Sequence, residues 1–310
     1  MNFRTIPVFV LAAGAAAFAL AASRDSIDNI GETRLKGPLG EKLDRMVAGH
    51  VIGTDVDYIT APFLEKTETK GWWQTEFWGK WMHSAVPYSV YTGSAALGAL
   101  IDHGIDRMLA SQEKDGYIGN YPDELRCGEG WDVWGMKYTM MGLLHYYDGE
   151  RGTGNGERRT GNGERGKRAL EACKRLCDYV IAEIGPNGRR GRELWQTGNW
   201  SGYASSSILE PVVWLYRRTN DKKYLDFATY IVKGMTEPAK GPRLLDLALK
   251  GVSVADRNES DYTQDADWAY VCKYGRSKAY EMMSCYQGIL DYVAAQSELS
   301  KDEGGKLADL

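Results

Sequence analysis

The chain has 310 residues, of which 43% are hydrophobic and 26% are charged, and its formal net charge is −4. This composition excludes an intrinsically disordered chain, and the length suffices for one large domain or two ordinary ones. Because 38 basic residues are balanced by 42 acidic ones, no overall positive field is present, and we expect no nucleic-acid partner.

The first segment of the chain is typical of a secretory signal. Arg4 precedes an apolar run over 6–20, and small residues of the Ala-x-Ala type follow it. The run is shorter than the roughly 20 residues that span a bilayer. We expect residues 1–22 to be a signal peptide and residues 23–310 to form a periplasmic or extracellular domain without membrane contact. An uncleaved anchor is the alternative.

Apolar residues recur at helical spacing along most of the chain. One such stripe consists of Leu97, Leu100, Ile101, Ile105, Met108 and Leu109. No stretch alternates apolar and polar residues long enough to indicate a strand. The sequence therefore predicts an all-α fold.

The helices are predicted to come in pairs. Four apolar helices end near a tyrosine, at Tyr91, Tyr147, Tyr216 and Tyr292, and a second amphipathic helix follows each. These second helices are predicted over 95–111, 168–183, 222–234 and 297–310. Hairpins with short internal turns and long connections between them are expected to stand around a ring, with the long loops at one rim.

The segment at about 149–167 interrupts the second hairpin. The sequence TGNGERR at 153–159 is followed by TGNGERG at 160–166. This near-exact duplication is typical of a low-complexity insertion in an expanded turn. A basic loop that binds nucleic acid is the alternative.

A tryptophan-rich segment at 71–81 contains the first candidate binding residues. Trp73 can stack on the apolar face of a sugar ring, while Glu76 and Lys80 can bond its hydroxyls. The alternative is a buried aromatic helix start with a surface ion pair. Asp132 begins a later helix, either as its N-cap or as a ligand group.

Carboxylates and cysteines supply the remaining chemistry. The candidate acid and base groups are Glu76, Asp115, Asp132 and Glu210. The five cysteines are odd in number and scattered, which predicts neither a disulfide framework nor a zinc site by spacing. They are Cys127, Cys173, Cys177, Cys272 and Cys285.

Four motifs together resemble the β-L-arabinofuranosidase-like glycoside hydrolases (family 127 and relatives). They are QxxDGYIGxY at 112–121, WDVWxxKYxxxGLL at 131–144, LYxxTxDxxYLxxA at 215–228 and AYxxMxxYxG at 279–288. The resemblance implies an (α/α)6 barrel that acts on plant cell-wall glycans. It also implies a zinc-bound cysteine thiolate as nucleophile and a glutamate as acid/base, drawn from a later segment than the one matched here.

The resemblance therefore leads us to expect that the chain contains about four of the six hairpins of the barrel. The catalytic residues stay unknown, and no cofactor is visible in this chain, although zinc is implied for the full-length family. Where the family has arabinose-binding histidines, this chain has Met136 or Lys137, Tyr203 and Lys278. These replacements favour a divergent subgroup with another sugar. The binding candidates carried over are Glu76, Lys80, Asp132, Lys137, Tyr203 and Lys278, in addition to Trp73.

Three functions stay open from the sequence. The first is an exported hydrolase of this family, truncated before its catalytic groups. The second is a glycan-binding remnant without turnover, and the third is a metal-independent (α/α)-barrel enzyme such as an unsaturated uronyl hydrolase. In each case the expected partner is an oligosaccharide or polysaccharide. An incomplete barrel would also expose an apolar edge, which predicts self-association.

Overall fold

A computed structural model describes residues 34–66, 72–128, 130–151, 163–199, 202–237, 241–254, 257 and 279–302. The predicted signal peptide and Lys278 lie outside the described residues. Over these ranges the chain forms helices and turns and no strand, which confirms the predicted all-α class. None of the helices in these ranges combines the length and the apolar character needed to cross a bilayer.

The described ranges contain eleven α-helices, which we number in chain order. They are α1 (Gly37–Met46), α2 (Val56–Glu65), α3 (Glu76–Thr92), α4 (Ala95–Ser111), α5 (Asp132–Arg151), α6 (Gly163–Glu183), α7 (Tyr203–Ser206), α8 (Leu209–Thr219), α9 (Lys222–Thr236), α10 (Leu244–Leu249) and α11 (Ala279–Asp302).

The first three predicted hairpins are α3–α4, α5–α6 and α8–α9. The turn between α3 and α4 is encoded locally: Gly93 takes a left-handed φ of 66°, and the Ser94 side chain accepts a hydrogen bond from the Leu97 amide. The same chemistry recurs between α8 and α9, where Asn220 has a φ of 54° and Asp221 caps α9. Short local signals of this kind are what made these turns predictable.

The predicted turn after Tyr292 is wrong. Helix α11 continues without interruption from Ala279 to Asp302. Between Tyr292 and the end of α11 at Asp302 there are two alanines, Ala294 and Ala295, and no glycine or proline, so nothing local stops the helix. The Tyr292 hydroxyl lies 2.9 Å from Thr229 Oγ1 of α9, which holds this part of α11 against the preceding hairpin.

The helices form two layers. Helices α3, α5, α8 and α11 lie side by side, each in contact with the next, and α4, α6 and α9 pack behind them. This is the arrangement of inner and outer helices in the wall of an (α/α) barrel. Sequence reasoning missed helices α1 and α2; of these, α2 packs against both members of the first hairpin.

Two close helix contacts bring the inner layer together. A Cβ on Gly79 of α3 would overlap the backbone carbonyl of Tyr138 of α5, so only glycine permits this crossing. On the other side, a Cβ on Gly288 of α11 would lie 2.9 Å from the Glu210 amide nitrogen of α8. Small residues at these crossings bring the polar side chains of neighbouring inner helices within reach of one another.

The segment predicted as an insertion is flanked by longer helices than the sequence suggested. Helix α5 extends to Arg151 and α6 begins at Gly163, so both helices run into the 149–167 segment. Residues 152–162 lie outside the described residues. The predicted insertion is therefore described only at its two ends.

Candidate functional site

A cavity of about 400 Å³ opens between the inner helices α3, α5, α8 and α11. Its size falls within the range of small-molecule sites. The lining combines charged, aromatic, amide and thioether side chains from all four helices. These are Lys80, His83, Lys137, Tyr138, Met141, Glu210, Tyr280, Met283, Ser284 and Gln287.

A buried ion pair joins α5 to α8 at one wall of the cavity. Lys137 Nζ lies 3.3 Å from Glu210 Oε2, and the two side chains are 1% and 10% exposed. Burial lowers the pKa of Lys137, and the negative charge of Glu210 opposes that shift. Burial likewise raises the pKa of Glu210, against the pull of Lys137. The pair therefore places two opposite charges, each with a pKa shifted by burial, at the cavity wall.

A second ion pair lies within α3. Lys80 Nζ is 2.8 Å from Glu76 Oε1, one helical turn away, and its side chain is 34% exposed. The indole Nε1 of Trp134 donates a hydrogen bond to the other oxygen of Glu76. Since both oxygens of Glu76 accept bonds from protein groups, this carboxylate orients Lys80 and Trp134 at the cavity.

Aromatic rings surround the Lys80 ammonium group. Its Nζ lies 4.9 Å from the ring centroid of Tyr138, 5.0 Å from that of Tyr280 and 5.8 Å from that of Trp134. The Tyr138 and Tyr280 hydroxyls are hydrogen-bonded to each other across α5 and α11. Burial and this hydrogen bond raise the pKa of Tyr138 well above its usual range, so the phenol stays protonated. The rings therefore supply apolar faces beside fixed polar groups.

Of the residues predicted from sequence, the structure brings three to this site. Lys80 and Lys137 line the cavity, and Glu76 adjoins it through its bond to Lys80. Glu210, which the sequence indicated only as a candidate carboxylate, completes the group. The (i, i+4) spacing of Glu76 and Lys80 was the signal that placed both on one helix face.

Asp132 lies elsewhere, inside a buried network at the start of α5. Its Oδ1 accepts a hydrogen bond from the Tyr117 hydroxyl at 2.7 Å, and its Oδ2 accepts one from the Cys127 amide at 2.8 Å. Burial raises the pKa of Asp132 to about 6. With both oxygens bonded to the 112–131 loop, this side chain fastens the loop to α5 and does not line the cavity.

Tyr203 and Trp73 also lie apart from the cavity lining. Tyr203 is fully buried, and its hydroxyl donates to the Arg257 carbonyl at 2.5 Å. Trp73 is 43% exposed in the turn before α3 and meets the Phe77 ring edge-on at 5.4 Å. A Trp73 site for sugar stacking is thus separate from the cavity. Lys278 lies outside the described residues.

Sequence reasoning missed most of the cavity's uncharged residues. His83, Tyr138, Tyr280 and Gln287 were not predicted to bind, although Tyr138 and Tyr280 lie within two of the four family motifs and His83 stands one helical turn from Lys80 on α3. Which face of each helix turns inward depends on packing between helices that are distant in sequence. That information is not contained in the spacing of one segment.

The described residues do not fit the zinc ion that the resemblance implies. No three His, Cys, Asp or Glu side chains among them converge on a point that could hold a metal. The cysteines that the structure describes are buried, and burial raises the pKa of Cys285 to about 12 and that of Cys127 well above its usual range. These groups are therefore thiols in the chain without a metal.

The layered helical hairpins, with a mixed cavity on their inner face, define an (α/α)-barrel-type arrangement. Residues 41–267 match the family model described as Beta-L-arabinofuranosidase, GH127 catalytic domain. The chain therefore belongs to this glycoside hydrolase family, as its four motifs predicted.

Individual relatives are distant. The chain is 25% identical over 167 residues to a non-reducing end β-L-arabinofuranosidase of Bifidobacterium longum subsp. longum, a match that covers 49% of this chain and 22% of that protein. A solved structure of a GH127 β-arabinofuranosidase is similar with 17% identity and a TM-score of 0.49, over 92% of this chain and 39% of that one. The chain thus spans well under half the length of either protein.

Proposed function

We propose that the cavity between α3, α5, α8 and α11 binds the terminal sugar of a glycan, as part of a β-L-arabinofuranosidase-like glycoside hydrolase. The observation that carries this proposal is the convergence of two ion pairs, Glu76–Lys80 and Lys137–Glu210, on one aromatic-lined cavity. Family membership supports a glycan as the ligand class.

The lining residues divide into two roles. The half-exposed ring of Tyr280 packs against the C–H face of a sugar ring, while the Lys80 ammonium group donates hydrogen bonds to hydroxyls. Glu210 accepts hydrogen bonds and, with a pKa raised by burial, is suited to give or take a proton at the sugar. No nucleophile is assigned among the described residues.

The substrate is proposed to be a plant cell-wall type glycan. The two ammonium groups of Lys80 and Lys137 also suit the carboxylate of an acidic sugar, which favours a uronide as the second candidate. For this reason neutral and acidic glycans belong in the same binding test.

Export is proposed from the apolar run over 6–20 and the Ala-x-Ala pattern after it. The expected location is the periplasm or the extracellular space. N-terminal sequencing of protein recovered outside the cytoplasm is expected to begin near residue 23. An unprocessed N-terminus on cytoplasmic protein would contradict export.

Self-association is proposed through α11. Leu290 and Val293 are large exposed side chains on this helix, and neither lines the cavity. A patch of exposed apolar side chains is typical of an interface. Light scattering after size exclusion is expected to show dimers or larger species that the substitutions Leu290→Glu and Val293→Glu disperse. A wild-type monomer at high concentration would contradict the proposal.

Binding and turnover are tested together. Calorimetry measures the affinity of the full chain for methyl β-L-arabinofuranoside and for pectic oligosaccharides with and without galacturonate, and chromatography measures released sugar. Glu210→Gln and Lys80→Ala are each expected to weaken binding by roughly 10-fold, as expected for loss of a charged hydrogen bond. His103→Ala is the control, since His103 pairs with Asp57 away from the cavity.

The outcomes separate the open functions. If the wild type releases sugar and Glu210→Gln does not, the result supports a hydrolase. Binding without release supports a glycan-binding protein. A preference for galacturonate-containing oligosaccharides supports the uronide candidate. Affinities that are the same in all variants, or no binding to any glycan of the panel, would overturn the proposed site.

A further inference from the structure

Two of the four histidines of the chain meet between α3 and α5. His83 Nδ1 on α3 and His145 Nε2 on α5 lie 2.7 Å apart, and the two rings stand edge-on with their centroids 4.6 Å apart. His83 is exposed, whereas His145 is half-buried. The proposed function assigns no role to either imidazole.

The position of His145 is fixed by its neighbours, while His83 is adjustable. The Trp214 ring of α8 packs edge-on against His145, with ring centroids 5.3 Å apart. Trp214 is itself held in place, because its Nε1 donates a hydrogen bond to Asp291 Oδ2 of α11 at 2.9 Å. The exposed His83 side chain can turn about its own bonds on a fast timescale. A ligand that needs both nitrogens therefore requires only His83 to move.

Both imidazoles are neutral near neutral pH, which is the form that binds a metal ion. Burial, reinforced by the charge of Lys137, lowers the pKa of His83. Burial also lowers the pKa of His145 to about 3, with smaller contributions from His83 and Arg218. Lys137 and Arg218 are each paired with a carboxylate, which offsets their positive charge. Protons and nearby cations therefore compete only weakly with a metal ion at the pair.

The separation of the two nitrogens indicates which ion suits them. Two imidazole nitrogens, each about 2.0 to 2.1 Å from one metal ion, stand about 2.8 to 3.0 Å apart at a right angle and about 3.3 to 3.4 Å apart at the tetrahedral angle. The separation of 2.7 Å is closer to the right-angled spacing. Right angles are typical of copper(II) and nickel(II), whereas zinc prefers a tetrahedral site, and copper(II) binds nitrogen ligands most tightly of these ions.

We propose that His83 Nδ1 and His145 Nε2 together bind a copper(II) ion, with solvent in the remaining coordination positions. Within the described ranges no group of three His, Cys, Asp or Glu side chains could hold a metal, so the site is an open one with two protein ligands. In the free pair one ring carries a proton on its inner nitrogen. On binding, this proton moves through solvent to the outer nitrogen of the same ring, so both rings stay neutral and no net proton is released.

The test titrates the full chain, prepared without a histidine tag, with copper(II), nickel(II) and zinc(II). Calorimetry in a weakly coordinating buffer is expected to show one copper(II) ion per chain, bound more tightly than nickel(II) or zinc(II). Loss of a residue that only supports a metal ligand costs about 10- to 100-fold in affinity, so His83→Ala, which removes a ligand, is expected to weaken copper binding at least about 10-fold. His103→Ala is the matched control, because His103 pairs with Asp57 on α2, and it is expected to keep the wild-type affinity.

Electron paramagnetic resonance of the wild-type chain identifies the ligands directly and does not depend on how a variant folds. With one equivalent of copper(II), the spectrum is expected to show a tetragonal centre coupled to two imidazole nitrogens.

Three results would overturn the site and indicate adventitious binding only. They are equal copper affinity in the wild type and His83→Ala, a wild-type spectrum without coupling to two imidazoles, and zinc(II) bound more tightly than copper(II). The inference does not rest on the proposed function, since glycan binding is measured without added metal and stands or fails separately.

Discussion

Replacing Lys137 with methionine tests the buried ion pair at the cavity wall. Methionine keeps much of the aliphatic volume but removes the ammonium group, so Glu210 loses a partner that lies 3.3 Å away. Because Lys137 is 1% exposed and Glu210 is 10% exposed, the carboxylate left behind is poorly solvated. Removing one partner of such a pair costs about 3 to 5 kcal/mol of unfolding free energy.

The size of this loss is expected to depend on pH. Lys137 opposes the rise that burial causes in the pKa of Glu210, so Lys137→Met raises that pKa further. The unfolded chain keeps a glutamate pKa of about 4.3. Between these two values the folded state binds more protons than the unfolded state, and the free energy of unfolding falls as pH rises. The loss is therefore larger near neutral pH than near the unfolded pKa.

Urea unfolding followed by tryptophan fluorescence measures these effects. Lys80→Met is the matched control, because its partly exposed ion pair is worth only about 0 to 1 kcal/mol. The double variant Lys137→Met/Glu210→Leu removes both charges and is expected to recover most of the loss. A Lys137→Met loss no larger than that of Lys80→Met, or one that is the same in acid and at neutral pH, would refute the reasoning.

Two further substitutions test the crossing of α3 and α5 and the network at the start of α5. Gly79→Ala is expected to lower the free energy of unfolding by about 1 to 3 kcal/mol, because its Cβ would overlap the Tyr138 backbone. Gly163→Ala is the control, since a Cβ there would meet no described neighbouring atom within 4 Å. Equal melting temperatures of the two variants would contradict the close crossing of α3 and α5. In Asp132→Asn, an amide NH₂ group replaces one of the two carboxylate oxygens that accept hydrogen bonds, so two donors face each other. This substitution is expected to lower the free energy of unfolding by about 1 to 3 kcal/mol. Because the pKa of Asp132 is raised from 3.8 to about 6, the stability that this group gives the wild-type chain falls as pH rises through that interval. The difference in unfolding free energy between the wild type and Asp132→Asn is therefore expected to shrink over the same interval. A difference that stays constant there would contradict the raised pKa of Asp132.

Much of the fold was predictable because its signals are local. Apolar stripes with a helical period and turn residues such as Gly93 and Asp221 placed three hairpins. The break expected after Tyr292 rested on similarity to the other tyrosine turns, without a glycine or cap to support it. In the folded chain α11 continues past Tyr292, whose hydroxyl lies 2.9 Å from Thr229 Oγ1.

The candidate site was only partly predictable. Glu76 and Lys80 were found because they are neighbours on one helix, whereas Tyr138 and Tyr280 meet only after α5 and α11 pack together. Asp132 looked like a binding residue because a carboxylate at a helix start serves equally as a cap, a ligand or a buried anchor. Its burial against the 112–131 loop, which decides between these, is a tertiary property.

The central claim is that the cavity between α3, α5, α8 and α11 holds the terminal sugar of a glycan. The most direct measurement is a crystal structure of the chain with the tightest-binding oligosaccharide of the panel. We predict one sugar ring against Tyr280, within hydrogen-bond distance of Lys80 or Glu210, and its hydroxyls within reach of the cavity wall. An oligosaccharide bound at the exposed Trp73 turn, with the cavity empty, would contradict the account.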